Sequence, residues 1–512
     1  MTSGLPRREK NRDGLAPNTP VIVGVGFHQE QTDDPIESSE PYQSMVRAVR
    51  RAADDAGSEA LLERIESISV PQGIWQYRNP GKLVADALGC PSATSVLADL
   101  GVLQLTLLSD LCRSITVGER EVGVITGGEA KFRELRSKIT QQPVVETQQP
   151  EDTPQPQVHL TSPDPFCSDL EAQRGLWSPV QFFAIIESAL RHHQGLDVEE
   201  HRDAIARLYS GFSDIAARNP HAWRRDPVSA DEIRNPTAGN SMLAFPYTKR
   251  HCSQWNVNRA VAIIVCSAAK AEQLGLDGRS WIFPLAAAES KHVVPLARQR
   301  QLHSHPGTVL SGERAFALAG VSAEELTAVE LYSCFPSAVQ SFAQDLKLGD
   351  SCPFTVTGAM PFAGGPFNHF SLEGVARMVE VLRSNEANEA SERRIGLVSN
   401  LSGIFGKQAC ALFSNFPNDR GYGFEDVTAA AAEGDSPLSL NGGYAGSATV
   451  VGYTVVFDKE EVSHGIAICD TPDGERTVVK TDDKALLVRM TQREYCGRAV
   501  LVRSDGSFSS GE

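Results

Sequence analysis

The sequence predicts an α/β protein of two similar halves, with an inserted, largely helical region and a small antiparallel β-barrel after the second half. Three observations predict it. Residues 21–27 (VIVGVGF) form an unbroken apolar run, the kind buried on both faces of a parallel sheet. A β-α-β-β-α-β order over residues 21–126 recurs, in architecture rather than in letters, over residues 312–399. After Phe416 the composition changes, and from Ser447 short β-rich runs alternate with turns.

Residues 1–18 are polar and lack an apolar h-region, so they read as a disordered arm rather than a secretory signal. The first half spans 19–285. Its opening strand is followed by a helix at 41–57 that stops on glycine, strands at 65–70 and 94–98, a helix at 103–117 and a strand at 121–126. An insertion spans 136–243. It begins with the Pro/Gln-rich stretch 141–158 (QQPVVETQQPEDTPQPQV), which no core can bury, and continues as helix over 179–217. The chain returns to core at 256–268. The second half, 286–415, has a helix near 312–319, strands at 328–333 and 354–356, a glycine-rich loop, a helix at 371–384 and a strand at 395–399. Residues 416–446 read as a Gly/Ala/acidic linker. The barrel, 447–512, contains a hairpin turn at Thr471-Pro472-Asp473-Gly474.

Composition excludes several functions. Apolar residues make up 41% of the 512, but no run approaches the roughly 20 needed to span a bilayer. A net charge of −16 without a basic stripe argues against nucleic acid as a partner. The 10 cysteines show no CxxC spacing, which argues against zinc or any other metal and for reduced thiols in the cytoplasm.

Five segments carry a family likeness: VIVGVG at 21–26, TVGEREVGVITGGEAKF at 116–132, AFPYTKRHCSQWNVNRAVAIIVCS at 244–267, ELYSCF at 330–335 and TGAMPFAGGPFNHFS at 357–371. On these, residues 20–415 resemble the thiolase superfamily. The appended strands bring the chain closest to the thiolase-like protein type 1 group, often named acetyl-CoA acetyltransferase and related to the sterol-carrier-linked thiolases. The resemblance implies the thiolase fold: duplicated βαβαβαββ halves layered αβαβα, an inserted loop domain and an added barrel. It implies a coenzyme A thioester as ligand, held by basic residues of the loop domain. Those are Arg191, Arg224, Arg225, Lys249 and Arg250, with Trp223 to stack an adenine beside them. Ser333, Gly364 and Gly403 are the further substrate-contacting positions it implies. It also implies a monomer or a homodimer paired through an edge strand of the first half, and other lipid-degrading enzymes as partners.

Thiolase chemistry needs a thiolate at a helix N-terminus, a histidine to activate it, a second cysteine to move the proton and donors for the thioester oxyanion. At the matching positions this chain has Gly101 for the nucleophile, Gly365 in Gly364-Gly365-Pro366 for the histidine, and Leu401 for the second cysteine. Tyr332, in Tyr332-Ser333-Cys334-Phe335, stands where a sterol-carrier-linked thiolase has histidine. Cys112 lies on the same helix but roughly 16 Å further along, too far to substitute. Loss of the base alone typically costs about 10²–10⁴ in rate, and loss of the nucleophile removes the covalent route. The expectation is an acyl-CoA-binding protein of lipid metabolism without thiolase turnover. Two alternatives stand beside it: a retro-aldol lyase on β-hydroxyacyl-CoA, with His369 as base and Tyr332 as donor, and a scaffold subunit for other lipid-degrading enzymes. The plainer reading of these residues is that His369 is satisfied locally at a helix N-terminus and that Tyr332 and Cys334 pack the core.

Overall fold

A computed structural model describes residues 14–162, 164–349, 352–384 and 392–511. Of the arm expected at 1–18, residues 1–13 lie outside the described residues. The first half forms a six-stranded sheet in the order Pro20–Gln29, Asn258–Ser267, Val122–Ala130, Ser67–Pro71, Thr94–Ala98, Val158–Leu160. The second half forms a five-stranded sheet in the order Ala328–Glu330, Ile395–Ser402, Lys407–Ser414, Phe283–Ser290, Gly423–Asp426.

Helices Gln104–Thr116 and Phe370–Arg383 pack against each other and against strands of both sheets, so they form the middle layer. Helix Pro41–Asp55 covers the outer face of the first sheet, and Pro306–Ala319 covers that of the second. The αβαβα layering is therefore present. It follows from strands such as Asn258–Ser267, buried at every position, which need helices on both faces.

Two segments differ from expectation. The stretch 416–446 is not a free linker, because Gly423–Asp426 adds an edge strand parallel to Phe283–Ser290 and helix Thr428–Gly434 follows it. Its glycines and acidic residues hide the strand because an edge strand has little need of apolar side chains. The Pro/Gln-rich stretch lies on the sheet instead of hanging free. Its glutamines act as detached peptide groups: Gln149 exchanges two hydrogen bonds with the Asn79 backbone (2.7 and 3.0 Å), and Gln157 Oε1 accepts from Ser95 N at 2.8 Å. The stretch ends in Val158–Leu160, which pairs in parallel with Thr94–Ala98 and covers the edge of the first sheet.

In the insertion, helix Pro179–Gln194 is buried at every residue from Gln181 to Arg191. One side packs on helix Pro336–Asp345 and the other on strand Gly446–Asp458 of the C-terminal domain. That domain is an antiparallel sheet in the order Arg476–Thr481, Glu461–Asp470, Gly446–Asp458, Ala499–Val502, Phe508–Ser510. Lys480 N donates to Gly506 O at 2.9 Å, which joins the first strand to the turn before the last and closes the barrel. Arg191 belongs to this junction, not to a ligand site. Its buried guanidinium meets Glu494 at 2.7 Å and donates to the Tyr453 hydroxyl at 2.9 Å. A helix face that must meet a barrel can hide an arginine only if the barrel supplies the carboxylate.

Among the described residues, no helix is long and apolar enough to cross a membrane.

Candidate functional site

The segments that hold the thiolase catalytic positions do converge, and buried amides now join them. Gln104 opens the middle-layer helix that follows Gly101, and its Nε2 donates to Asn368 Oδ1 at 2.9 Å. Asn368, on the glycine loop, donates to Gln72 O at 2.9 Å. Asn400, beside Leu401, donates to Gln104 Oε1 at 2.9 Å and accepts from Leu105 N at 3.0 Å. The helix N-terminus thus spends an unpaired N–H on an amide oxygen, where a thiolase would offer its positive end to a thiolate. Sequence reasoning missed Gln104, Asn368 and Asn400. Only Gln104, between Leu103 and Leu105, carried a signal, a polar residue inside an apolar run; Asn368 and Asn400 have polar neighbours and carried none.

The glycine loop is packed shut. Gly365 N donates to Gln254 O at 2.8 Å, and a Cβ placed on Gly365 would lie 1.8 Å from Ser253 Oγ. At Gly364 (φ +107°) an added Cβ would meet Arg259 Cδ at 3.1 Å and Trp223 Cβ at 3.3 Å. Both glycines are closed in by protein atoms. Trp223 is only 8% exposed and packs edge-on against Phe132, with centroids 5.5 Å apart, so it cannot serve as an adenine platform. Arg224, Arg225 and Lys249 do reach solvent. Trp223 N and Arg224 N donate to Ala363 O and Phe362 O, both at 2.9 Å, which seats this basic run on the glycine loop. Partial burial, then the charge of nearby Arg250, push the Arg224 pKa down.

No hydrogen bond joins His369 and Tyr332 among the described residues. His369 is 2% exposed and sits against Gly127, where an added Cβ would come within 2.5 Å of the histidine Cβ. Its Nε2 has no hydrogen-bond partner and stands 3.6 Å from Glu373 Oε1. Burial lowers its pKa, partly opposed by Glu373. Glu373 is itself committed to Arg259, at 2.9 and 2.7 Å, and Arg259 also donates to His221 O and Ala363 O. Tyr332 packs among Met360, Ala363, Phe370 and Cys334, with its phenol pKa raised by burial and then by Cys334. Ser333 is fully buried and accepts from Met360 N at 3.1 Å, so it holds the loop. Leu401 is core, and burial raises the thiols of Cys112 and Cys334 far above the reactive range.

An open cleft lies on the other side of the same junction. Its volume is about 330 Å3, and Gly101, Ser402, Gly403 and Lys407 form one side, facing Ser162, Phe166 and Trp177. Gly101 has φ +99°, and a Cβ there would lie 2.8 Å from Ser162 Oγ. The Ser162 hydroxyl therefore fills the space a nucleophilic side chain would use. Lys407 donates to that hydroxyl and pairs with Asp164 at 2.9 Å. The hairpin between Leu401 and Lys407 carries Ile404 (φ +44°) and Phe405 (φ +60°) in the left-handed region, which costs of order 1–3 kcal/mol each. Phe405 is 1% exposed, and its packing against Phe183 and Phe342 holds the hairpin in place.

Comparison with known proteins agrees with this fold. The family model for the thiolase-like protein type 1 additional C-terminal domain matches residues 436–507. The fold is similar to a monomeric SCP2-thiolase like protein type 1 from Mycobacterium smegmatis, with TM-score 0.79 and 24% identity over 97% of this chain and 100% of that one. It is also similar to the Ltp2-ChsH2(DUF35) aldolase, with TM-score 0.57 and 18% identity over 77% of this chain and 98% of that one. A curated relative, the acetyl-CoA acetyltransferase of Methanothermobacter thermautotrophicus, is 22% identical over 48% of the chain, and the match spans 65% of that relative's length. The chain has the thiolase fold and carries the additional C-terminal domain of the thiolase-like type 1 group, the group its sequence resembles.

Proposed function

We propose that the protein binds a coenzyme A thioester of lipid metabolism without performing thiolase chemistry. The observation that carries this is the seat of Arg224 and Arg250 beside a glycine loop that offers no base. Arg224 and Arg225 are exposed beside that loop, and Arg250, paired with Glu232 at 3.4 Å, adds positive charge near Arg224, which supports a phosphate-bearing ligand. Gly101, Gly365 and Leu401 supply neither nucleophile, base nor thiol. The name of the curated relative and the type 1 domain support the ligand class. The covered edge of the first sheet supports a monomer, because the strand that could pair with a second copy already has a neighbour.

The test is a thermal-shift and calorimetric screen with coenzyme A and acyl-CoAs of increasing chain length, run beside a thiolysis assay. A saturating ligand should raise the melting temperature by mass action. Arg224→Ala and Arg250→Ala should each weaken binding. Thiolysis should stay at the background rate. The absence of any shift at millimolar concentration rules out the ligand class, and enzymatic thiolysis rules out the non-catalytic reading.

A further inference from the structure

We infer that the cleft at Gly101 and Lys407 is a binding site for an apolar carboxylate, such as a medium-chain fatty acid anion, with the carboxylate on Lys407. The inference does not depend on coenzyme A binding.

The walls of the cleft are apolar and its end is charged. Leu100, Phe166 and Trp177 line it at 53, 47 and 66% exposure, which is high for large apolar side chains of one small region. The volume falls at the lower end of the range for small-molecule sites. The Lys407 side chain is only 7% exposed. Its backbone starts strand Lys407–Ser414, pairs with Ser402 across the hairpin, and so is fixed in position.

Burying an ammonium is costly unless acceptors surround it. An ammonium has three donors, and the described residues give this one two acceptors, Ser162 Oγ and Asp164. The two acceptors differ. Ser162 is neutral and packed against Gly101, whereas the Asp164 side chain is 45% exposed. Asp164 can exchange Lys407 for water at little cost, and a carboxylate entering with an apolar chain can take its place. The ligand then satisfies the buried charge at one end and covers Phe166 and Trp177 at the other. A neutral chain of the same length would cover the same surface but leave Lys407 to Asp164.

The chemistry that would normally consume a thioester at this place is absent, and the Ser162 hydroxyl occupies the nucleophile's space. The site therefore reads as a holding site for the acid.

The experiment is isothermal titration of the full chain with decanoate and with decanol, both below their aggregation limits. Decanoate should bind, and decanol about tenfold or more weakly, the ratio expected when a charged hydrogen bond is lost. Lys407→Met should remove the preference for decanoate while circular dichroism confirms the fold. Asp164→Asn sits at the exposed rim and removes the competing counter-ion, so it should tighten decanoate binding several-fold. A Lys407–Asp164 pair with a purely structural role would give no such gain. Equal affinity for decanol, an unchanged Lys407→Met variant, or weaker binding by Asp164→Asn would each overturn the inference. Decanoate binding without any coenzyme A binding would leave it standing and remove the function proposed above.

Discussion

Putting the missing histidine back should damage the protein rather than repair it. In Gly365→His the new Cβ would be placed 1.8 Å from Ser253 Oγ, and Cβ contacts closer than 3.0 Å are essentially never found. Rotating the serine hydroxyl away still leaves Ser253 Cβ at 3.1 Å and Met360 Cβ at 3.4 Å. An imidazole must then push aside two side chains around a buried glycine. Gly365 does not have a positive φ, so the cost is steric rather than a backbone effect. Overpacking of this kind costs about 1–3 kcal/mol and sometimes more. Denaturant unfolding followed by tryptophan emission should show the unfolding free energy falling by that amount and the midpoint moving down with it, with no thiolysis gained. Gly365→His combined with Ser253→Gly should recover most of the loss, because the two sites are in contact and their effects are not additive. A single Gly365→His variant as stable as the parent would refute the packing argument. It would also reopen the loop as a catalytic element.

Three further outcomes follow from the same geometry. Arg259→Met should cost about 3–5 kcal/mol, since it leaves the Glu373 carboxylate buried without its partner, and Arg259→Met with Glu373→Leu should recover much of this in chemical denaturation. Glu129 has its pKa pushed from 4.5 up to about 8, chiefly by burial, so the folded state holds its proton where the unfolded state does not. Stability should therefore fall as pH rises from about 5 to 8, by up to about 1.4 kcal/mol per unit from this group, and Glu129→Gln should flatten that slope in a pH series of melts. Gln157→Ala with Val158→Pro should release the strand that covers Thr94–Ala98 and cause self-association, read by light scattering on a sizing column; an unchanged mass would show that the edge needs no cover.

The sequence revealed whatever was built from long apolar runs. Residues 21–27 lie within the strand Pro20–Gln29, and the hairpin at Asp473-Gly474 turns between two barrel strands, because both signals are local. Gly423–Asp426 was not legible, since an edge strand pairs through its backbone and leaves no pattern in its side chains. The role of Gln149 and Gln157 was hidden for a related reason: composition shows polar residues but not that their amides replace missing strand partners. The burial of Trp223 and Arg191 depends on contacts with Phe132 and Glu494, distant in sequence, and neither the Trp-Arg-Arg run nor the helix that carries Arg191 reveals them. The emptied positions Gly101, Gly365 and Leu401 were read from the family resemblance. What now fills them was not: Ser162 and Ser253 come from other segments, and Gln104, Asn368 and Asn400, close in sequence to the emptied positions, meet one another only through the fold.

The helix Pro179–Gln194 has an implication for how the chain is made. Its Arg191 waits for Glu494, 303 residues later in the chain, and its barrel-facing side waits for strand Gly446–Asp458. During synthesis at about 5–20 residues per second, that face remains uncovered for many seconds while the second half emerges. A nascent chain in this state presents an unpaired arginine and a strip of apolar side chains, features that chaperones capture and that neighbouring ribosome products adhere to. Cutting the gene before the barrel would make that interval permanent, and the product would be an aggregating fragment rather than a smaller folded protein.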